Sequence, residues 1–262
     1  MMDILQKIVQ QKEREVSLKK ALIPASHLQN SPLFEREGTS LSDALRKSHT
    51  GIIAEFKRRS PSRPSINQHS PVDLVANGYE QAGACGMSVL TDGHFFGGSL
   101  EDLLLARAVT AFPLLRKEFI IDEYQILEAK AHGADVILLI AAVLDRPQIK
   151  ALADLAGQLG LEVLLEVHNK KELELSFMPG IQMVGVNNRD LKTFEVSLET
   201  SRTIAPLIPD EVVKVSESGL SAPEAIIGLR EHGFRGFLIG ETFMKGEEPG
   251  QEAGNFIKAL ES

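Results

Sequence analysis

From Gly51 onward the chain is punctuated by short runs that are apolar almost throughout, such as Val136-Ile137-Leu138-Leu139-Ile140 and Val163-Leu164-Leu165. Runs of this length without polar alternation fit parallel strands covered on both faces. Strands are expected to begin near Gly51, Cys85, Leu114, Asp135, Leu161, Gln182, Glu211 and Gly236. The intervals are long enough for a strand, a loop and a helix, and the helical pattern falls on residues 71–82, 99–110, 122–132, 147–159, 170–177, 197–205 and 221–232, with 248–260 closing the chain. Gly83, Gly133, Gly160 and Gly233 follow four of these helices, where a left-handed C-cap is wanted. Eight strand–helix units predict a closed (β/α)8 barrel, the TIM-barrel class of α/β folds. The alternative, an open doubly wound sheet, would carry its glycine-rich G-x-G-x-x-G turn after a strand, and none is present.

The first 50 residues have a different rhythm. Residues 3–20 read as a helix with Ile4, Leu5, Ile8 and Val9 as its apolar stripe and its Lys and Glu pairs as a solvated face; Pro24 stops it. Residues 31–45 mix a loop with a short helix capped by Thr39 or Ser40. The expected organisation is a helical extension, 1–50, packed on a barrel, 51–262, as one catalytic domain.

Composition narrows the function. With 28 basic and 36 acidic residues the net charge is −8, which argues against nucleic-acid or membrane-surface binding. The single cysteine, Cys85, allows no internal disulfide and no cysteine zinc set, and reads as a small buried residue. The histidines lack metal-ligand spacing, so neither metal nor cofactor is expected; His168 is read as holding a carboxylate or loop, and His94 as solvent-facing on a mobile loop. No signal-peptide core or membrane-length apolar run is visible, and a cytoplasmic location is expected.

The chemistry is written at the strand ends. Residues 52–62 begin as an apolar strand and then place Glu55 and Lys57 two apart, hence on one face, with Ala54 and Phe56 on the other. Charges at the end of a buried strand need partners or a ligand to offset their desolvation. The pattern recurs: Lys117 lies on the face of Leu115 and Phe119, Glu166 on that of Leu164, Glu217 on that of Val213 and Val215, and the sixth strand runs into Asn187-Asn188-Arg189-Asp190. Polar loop starts explain any one of these, but lysines and carboxylates converging on one mouth point to a ligand. The turns Ser218-Gly219-Leu220-Ser221 and Gly240-Glu241-Thr242 follow strands seven and eight, where such barrels commonly hold a phosphate on backbone N–H groups. Arg58 and Arg59 would add attraction for an anion.

The ordered set Ile-Ala-Glu-Phe-Lys (53–57) with Ser-Pro-Ser (60–62), Ser-Val-Leu-Thr-Asp (88–92), Leu-Arg-Lys-Glu-Phe (115–119), Leu-Leu-Glu-Val-His (164–168), Gly-Val-Asn-Asn-Arg-Asp-Leu (185–191), Ser-Glu-Ser-Gly (216–219) and Leu-Ile-Gly-Glu (238–241) resembles the indole-3-glycerol-phosphate synthase family of tryptophan biosynthesis over nearly the whole chain. The resemblance implies conversion of 1-(2-carboxyphenylamino)-1-deoxyribulose 5-phosphate to indole-3-glycerol phosphate, carbon dioxide and water, without a cofactor. It implies Lys117 as general acid in ring closure, Glu166 as acid/base in dehydration, and Glu55, Lys57, Asn187 and Glu217 as their catalytic companions. Arg189 and Ser60 would bind substrate, with Phe96, Phe119, Leu138 and Leu191 around the anthranilate ring. Ser218, Gly219, Gly240 and Glu241 would hold phosphate, largely through main-chain groups. Lys117 would suit donation if burial or a neighbouring cation lowered its pKa. The family further implies a monomer, with association with other pathway enzymes as an option. Pro64, where the family more often has glycine, is expected to stiffen the first βα loop. Two alternatives differ in their residues: a related barrel such as phosphoribosylanthranilate isomerase would want a Cys/Asp pair, and a silent binding subunit would lack Lys117, Glu166 or Glu55, all of which are present.

Overall fold

The computed structural model describes residues 3–191 and 193–261. The elements are α1 (Ile4–Leu22), α2 (Ala25–Gln29), α3 (Leu41–Lys47), β1 (Ile52–Phe56), α4 (Val72–Gln81), β2 (Gly86–Leu90), α5 (Gly93–Phe96), α6 (Leu100–Val109), β3 (Leu114–Lys117), α7 (Glu123–Ala131), β4 (Val136–Ile140), α8 (Arg146–Gln158), β5 (Glu162–Val167), α9 (Lys170–Ser176), β6 (Met183–Asn187), α10 (Glu199–Ile204), β7 (Val213–Glu217), α11 (Pro223–Arg230), β8 (Phe234–Ile239), α12 (Glu241–Met244) and α13 (Pro249–Glu261). All neighbouring strands are parallel, and β8 pairs back onto β1 to close the barrel. The four glycines expected at helix ends have φ between 69° and 86°, a region L side chains enter only with strain.

The period of two divides each strand between two cores. Ile53, Leu115, Leu138, Leu164, Met183, Val213, Val215 and Leu238 fill the barrel interior, while Ile52, Ala54, Phe56, Leu139, Leu165 and Val184 pack against the helices. Phe56, fully buried in the outer layer, contributes about 1.5–3 kcal/mol by this burial. Leu41 and Leu45 of α3 close the bottom of the interior. Helix α3 is capped there by Ser40, and Glu162 of β5 accepts from the N–H groups of Leu41 (2.9 Å) and Ser42 (3.0 Å). Cys85 sits half-buried beside this layer, its thiol pushed up by burial.

Several local expectations change. The eighth strand starts at Phe234, two residues before Gly236. Helix α2 was not foreseen. The supposed loop around His94 is the helical turn α5, because Asp92 Oδ1 accepts from the N–H groups of Phe95 (2.7 Å) and Phe96 (3.2 Å); His94 itself is exposed.

The largest correction concerns α1. Its buried face is Ile8, Lys12 and Val16, so one lysine assigned to a solvated face is only 1% exposed. Lys12 Nζ lies 3.0 Å from Glu15, 3.0 Å from Asp92 and 3.1 Å from Glu118. Burial alone would lower its pKa, but Glu118, Asp92 and Glu15 together raise it above the ordinary lysine value. Spacing i, i+4 put residues 8, 12 and 16 on one face; the acidic partners come from β2 and β3 loops, invisible to any local pattern.

Candidate active site

Three of the expected strand-end charges meet at the C-terminal mouth. Lys117, at the end of β3, donates to Glu166 Oε2 of β5 at 2.9 Å and forms a second short contact with Glu217 Oε2 of β7. Asn187 at the end of β6 donates to the other Glu166 oxygen at 3.2 Å, and its own oxygen accepts from Ser218 Oγ (2.9 Å) and the Arg189 N–H (3.1 Å). Across the mouth Lys57 donates to Glu55 at 2.6 Å. Register explains the convergence, since Glu166 opposes Gly185 and Asn187 opposes Glu217 on adjacent strands.

The ionisation states follow from this packing. Lys117 would be lowered by burial, yet Glu166, Glu217 and Glu55 outweigh it and raise the pKa above its ordinary value, so the condition of a lowered pKa is not met at rest. Lys117 therefore rests as a cation. Glu166, despite burial, is brought down to about 2 by Lys117 and His168. Glu217 goes the other way, to about 7, because burial and the Glu166 charge outweigh Lys117, and its Oε1 has no hydrogen-bond partner. The native state thus binds a proton at Glu217 that the unfolded chain releases, so this group's contribution to stability falls as pH rises from about 4.5 to about 7. Glu217→Gln is expected to flatten that decline, gaining on the order of 2 kcal/mol relative to the parent between pH 5 and 8. Denaturant midpoints across that range check it.

Two glycines make room for the carboxylates. A Cβ on Gly185 would come 2.3 Å from Glu217 Oε1, and one on Gly240 would come 2.5 Å from Glu55 Oε1. Gly185→Ala is expected to push Glu217 off Lys117 and lower kcat by roughly 10²-fold, the scale of a 1 Å misplacement, with little loss of helical circular dichroism. Steady-state kinetics and the CD spectrum test both halves.

The residues expected to act on, bind or surround substrate and phosphate all line one cavity of about 340 Å³: Glu55, Lys57, Ser60, Phe96, Lys117, Phe119, Leu138, Glu166, Asn187, Arg189, Leu191, Glu217, Ser218, Gly219, Gly240 and Glu241. The rings of Phe96 and Phe119 lie 5.9 Å apart and form part of its apolar wall. The same cavity takes in the turn at Ser218 and Gly219, both left-handed (φ 67° and 78°). For a serine this backbone is strained, and it is held by Asn188, whose buried amide donates to the carbonyls of Glu217 (3.0 Å) and Ser218 (3.1 Å). Arg63 pairs with Glu241 at 3.1 Å, tying the first βα loop to the start of α12.

Arg58 and Arg59 do not face the cavity. Arg58 stacks 4.7 Å over Phe56 and donates to Asp102 at 2.6 and 2.8 Å, while Arg59 donates to the carbonyls of Gly93 (2.8 Å) and His94 (3.0 Å). Their positive charge braces the α5 turn instead of lining a substrate path. Missed from sequence were Gly185, Asn188 and the entry of Ile4, Leu5 and Ile8 of α1 into the cavity wall. The stripe on α1 was visible, but nothing local said which surface it covers. Among the described residues no cluster of His, Cys, Asp and Glu could hold a metal ion, and no helix is long and apolar enough to cross a membrane.

Residues 5–258 match the model of the family described as indole-3-glycerol phosphate synthase. The chain belongs to the indole-3-glycerol phosphate synthase family. It is 48% identical over 261 residues to the indole-3-glycerol phosphate synthase of Bacteroides thetaiotaomicron, covering all of both chains, and 42% identical to that of Chromobacterium violaceum, covering 96% of each. Two solved structures of low identity share its fold. A thiamine phosphate pyrophosphorylase from Pyrococcus furiosus superposes with a TM-score of 0.59 at 16% identity, covering 81% of this chain and 96% of that one. A tryptophan synthase complex from the same organism gives 0.57 at 15%, covering 80% and 97%. Membership in the synthase family fits the charges at the mouth, which a shared barrel fold would not by itself explain.

Proposed function

We propose that this protein is an indole-3-glycerol phosphate synthase, closing the indole ring of 1-(2-carboxyphenylamino)-1-deoxyribulose 5-phosphate with loss of carbon dioxide and water. The observation that carries the reading is the Lys117 cation held between Glu166 and Glu217, in a cavity that also contains an aromatic wall and a small-residue turn.

The chemistry asks for these parts. An aromatic carbon attacks the ribulose C2 carbonyl, and the oxygen gains negative charge that a nearby cation stabilises and protonates. Lys117 keeps its proton at rest because three carboxylates favour the charged form. When it turns toward the carbonyl it leaves the carboxylates that raise its pKa, and it delivers that proton as the oxygen becomes an alkoxide. Loss of carbon dioxide restores aromaticity; the hydroxyl then leaves as water with a proton supplied by the Lys57–Glu55 pair, while Glu166, ionised at rest, takes the proton from the adjacent carbon. Lys57 with Glu55 faces the substrate carboxylate and moves protons, Asn187 orients Glu166, and Glu217 holds Lys117. Phe96, Phe119, Leu138 and Leu191 surround the aryl ring. Backbone groups of Ser218, Gly219, Gly240 and Glu241 receive the phosphate, with Arg189 and Ser60 contacting substrate.

We place the enzyme in the cytoplasm as a monomer that binds no nucleic acid, organised as a helical extension over residues 1–50 and one barrel domain over 51–262. The chain has no tryptophan and two tyrosines, so indole emission is read against a dark background. Incubation with the carboxyphenylamino-deoxyribulose phosphate, without metal or nucleotide, is expected to give a rising indole signal. A flat trace from folded protein rejects the activity.

A further inference from the structure

His168 follows the last residue of β5 and has no part in the scheme above. Its backbone N–H donates to Glu172 Oε2 at 2.7 Å, and its ring Nδ1 lies 3.2 Å from the same oxygen. The ring's other nitrogen, Nε2, is buried without a hydrogen-bond partner and lies 3.4 Å from Glu166 Oε1. A simple capping role does not account for the imidazole. Asn169 supplies the cap of α9 by accepting from the Glu172 N–H, and the backbone of His168 already reaches Glu172. What the ring adds is a polar edge aimed at Glu166, with a side chain only 10% exposed. The order of exposure runs from Glu166 (6%) through His168 to Glu172 (22%), a path from the mouth toward solvent.

We infer that His168, anchored from behind by Glu172, is a positioning residue for Glu166 that keeps its carboxylate ionised and in place between turnovers. The inference rests on the acid/base role proposed for Glu166. The groups facing the imidazole are Glu166 on its own strand, Glu172 of α9 and Glu217 of β7, with Lys117 of β3 and the Asn187 amide of β6 reaching the same carboxylate. All three carboxylates favour the imidazolium, whose pKa is raised although burial opposes it. A cationic neighbour in turn disfavours protonation of Glu166, the reciprocal of the same coupling.

His168→Asn tests this, because an asparagine amide can still reach Glu172 but neither carries charge nor extends to Glu166. With enzyme in excess, the rate of indole formation is followed from pH 5 to 9. The acid limb belongs to the complex in which Lys117 has turned to the carbonyl and no longer holds Glu166 near 2, leaving His168 as its cation. In H168N that limb is expected to move upward by about one unit, so the variant is roughly tenfold slower than the parent at the foot of the limb and within about twofold on its plateau at pH 8. His168→Gln restores a neutral donor near the Nε2 position and is expected to fall between the two, and either variant decides the question if the other does not fold. Profiles that superimpose on the parent after scaling by one constant factor overturn the inference. Glu166→Gln separates the two levels: undiminished turnover in E166Q rejects the role of Glu166 itself, whereas loss of turnover in E166Q with an unmoved limb in H168N rejects only the role of His168.

Discussion

Replacing Lys117 with methionine is expected to lower kcat by about 10²- to 10⁴-fold, the range that a positioned general acid supplies. The substitution keeps the length and apolar stem of the side chain and removes only the cation that bridges Glu166 and Glu217. KM is expected to change far less, because the phosphate turn and the aromatic wall are untouched. Stability should respond as well. Without Lys117 the buried carboxylates of Glu55, Glu166 and Glu217 face one another, and Glu217, already raised to about 7, takes up a proton more readily still. K117M should therefore be least stable at alkaline pH, where that proton is lost. Steady-state kinetics with denaturant titrations at pH 6 and 8 measure both effects; a variant with near-parental kcat removes Lys117 from the acid role.

Lys12→Met is expected to destabilise the protein by about 3–5 kcal/mol, the usual cost of leaving buried ionised partners without their counter-charge. That is a large part of an ordinary domain's margin of 5–15 kcal/mol. Asp92 and Glu118 are 0% and 3% exposed, and Lys12 joins them to α1. Their positions make the loss felt at the site: Asp92 caps the turn that carries Phe96, and Glu118 follows Lys117 directly and accepts from the Phe119 N–H at 2.8 Å. Ile4, Leu5 and Ile8 of the same helix line the cavity. K12M should accordingly raise KM more than it lowers kcat. Chemical unfolding and kinetics at a temperature where the variant stays folded check this; an unchanged midpoint would mean the burial of Lys12 contributes no net stability.

How much of this was legible beforehand follows from the range of each interaction. The barrel was readable because strand period, helix period and glycine C-caps are local, and eight repeats of one unit leave few ways to close. The mouth was readable because Glu55, Lys117, Glu166 and Glu217 sit at strand ends where apolar residues would otherwise be expected, and because the motifs around them resemble one family. The fate of Lys12, Arg58 and Arg59 was not readable. Each is a basic residue on a plausible solvent or substrate face, and each is claimed by a partner from a distant part of the chain: Lys12 by Asp92 and Glu118, Arg58 by Asp102, Arg59 by carbonyls of α5. Gly185 escaped for a similar reason. Its role as the space that Glu217 occupies exists only once β6 and β7 lie side by side. The direction of the Lys117 shift also depends on how many carboxylates converge, and sequence names the candidates without their distances.

The division of labour between β3 and β5 is tested most directly by following carbon dioxide release and indole formation together in single-turnover reactions of the parent, K117M and E166Q. The parent is expected to yield the two products one for one. K117M, blocked at ring closure, should release neither at an appreciable rate, and E166Q should release carbon dioxide while indole emission lags far behind it. Normal carbon dioxide release from K117M, or an E166Q variant stalled before any carbon dioxide appears, would contradict the assignment of ring closure to Lys117 and dehydration to Glu166.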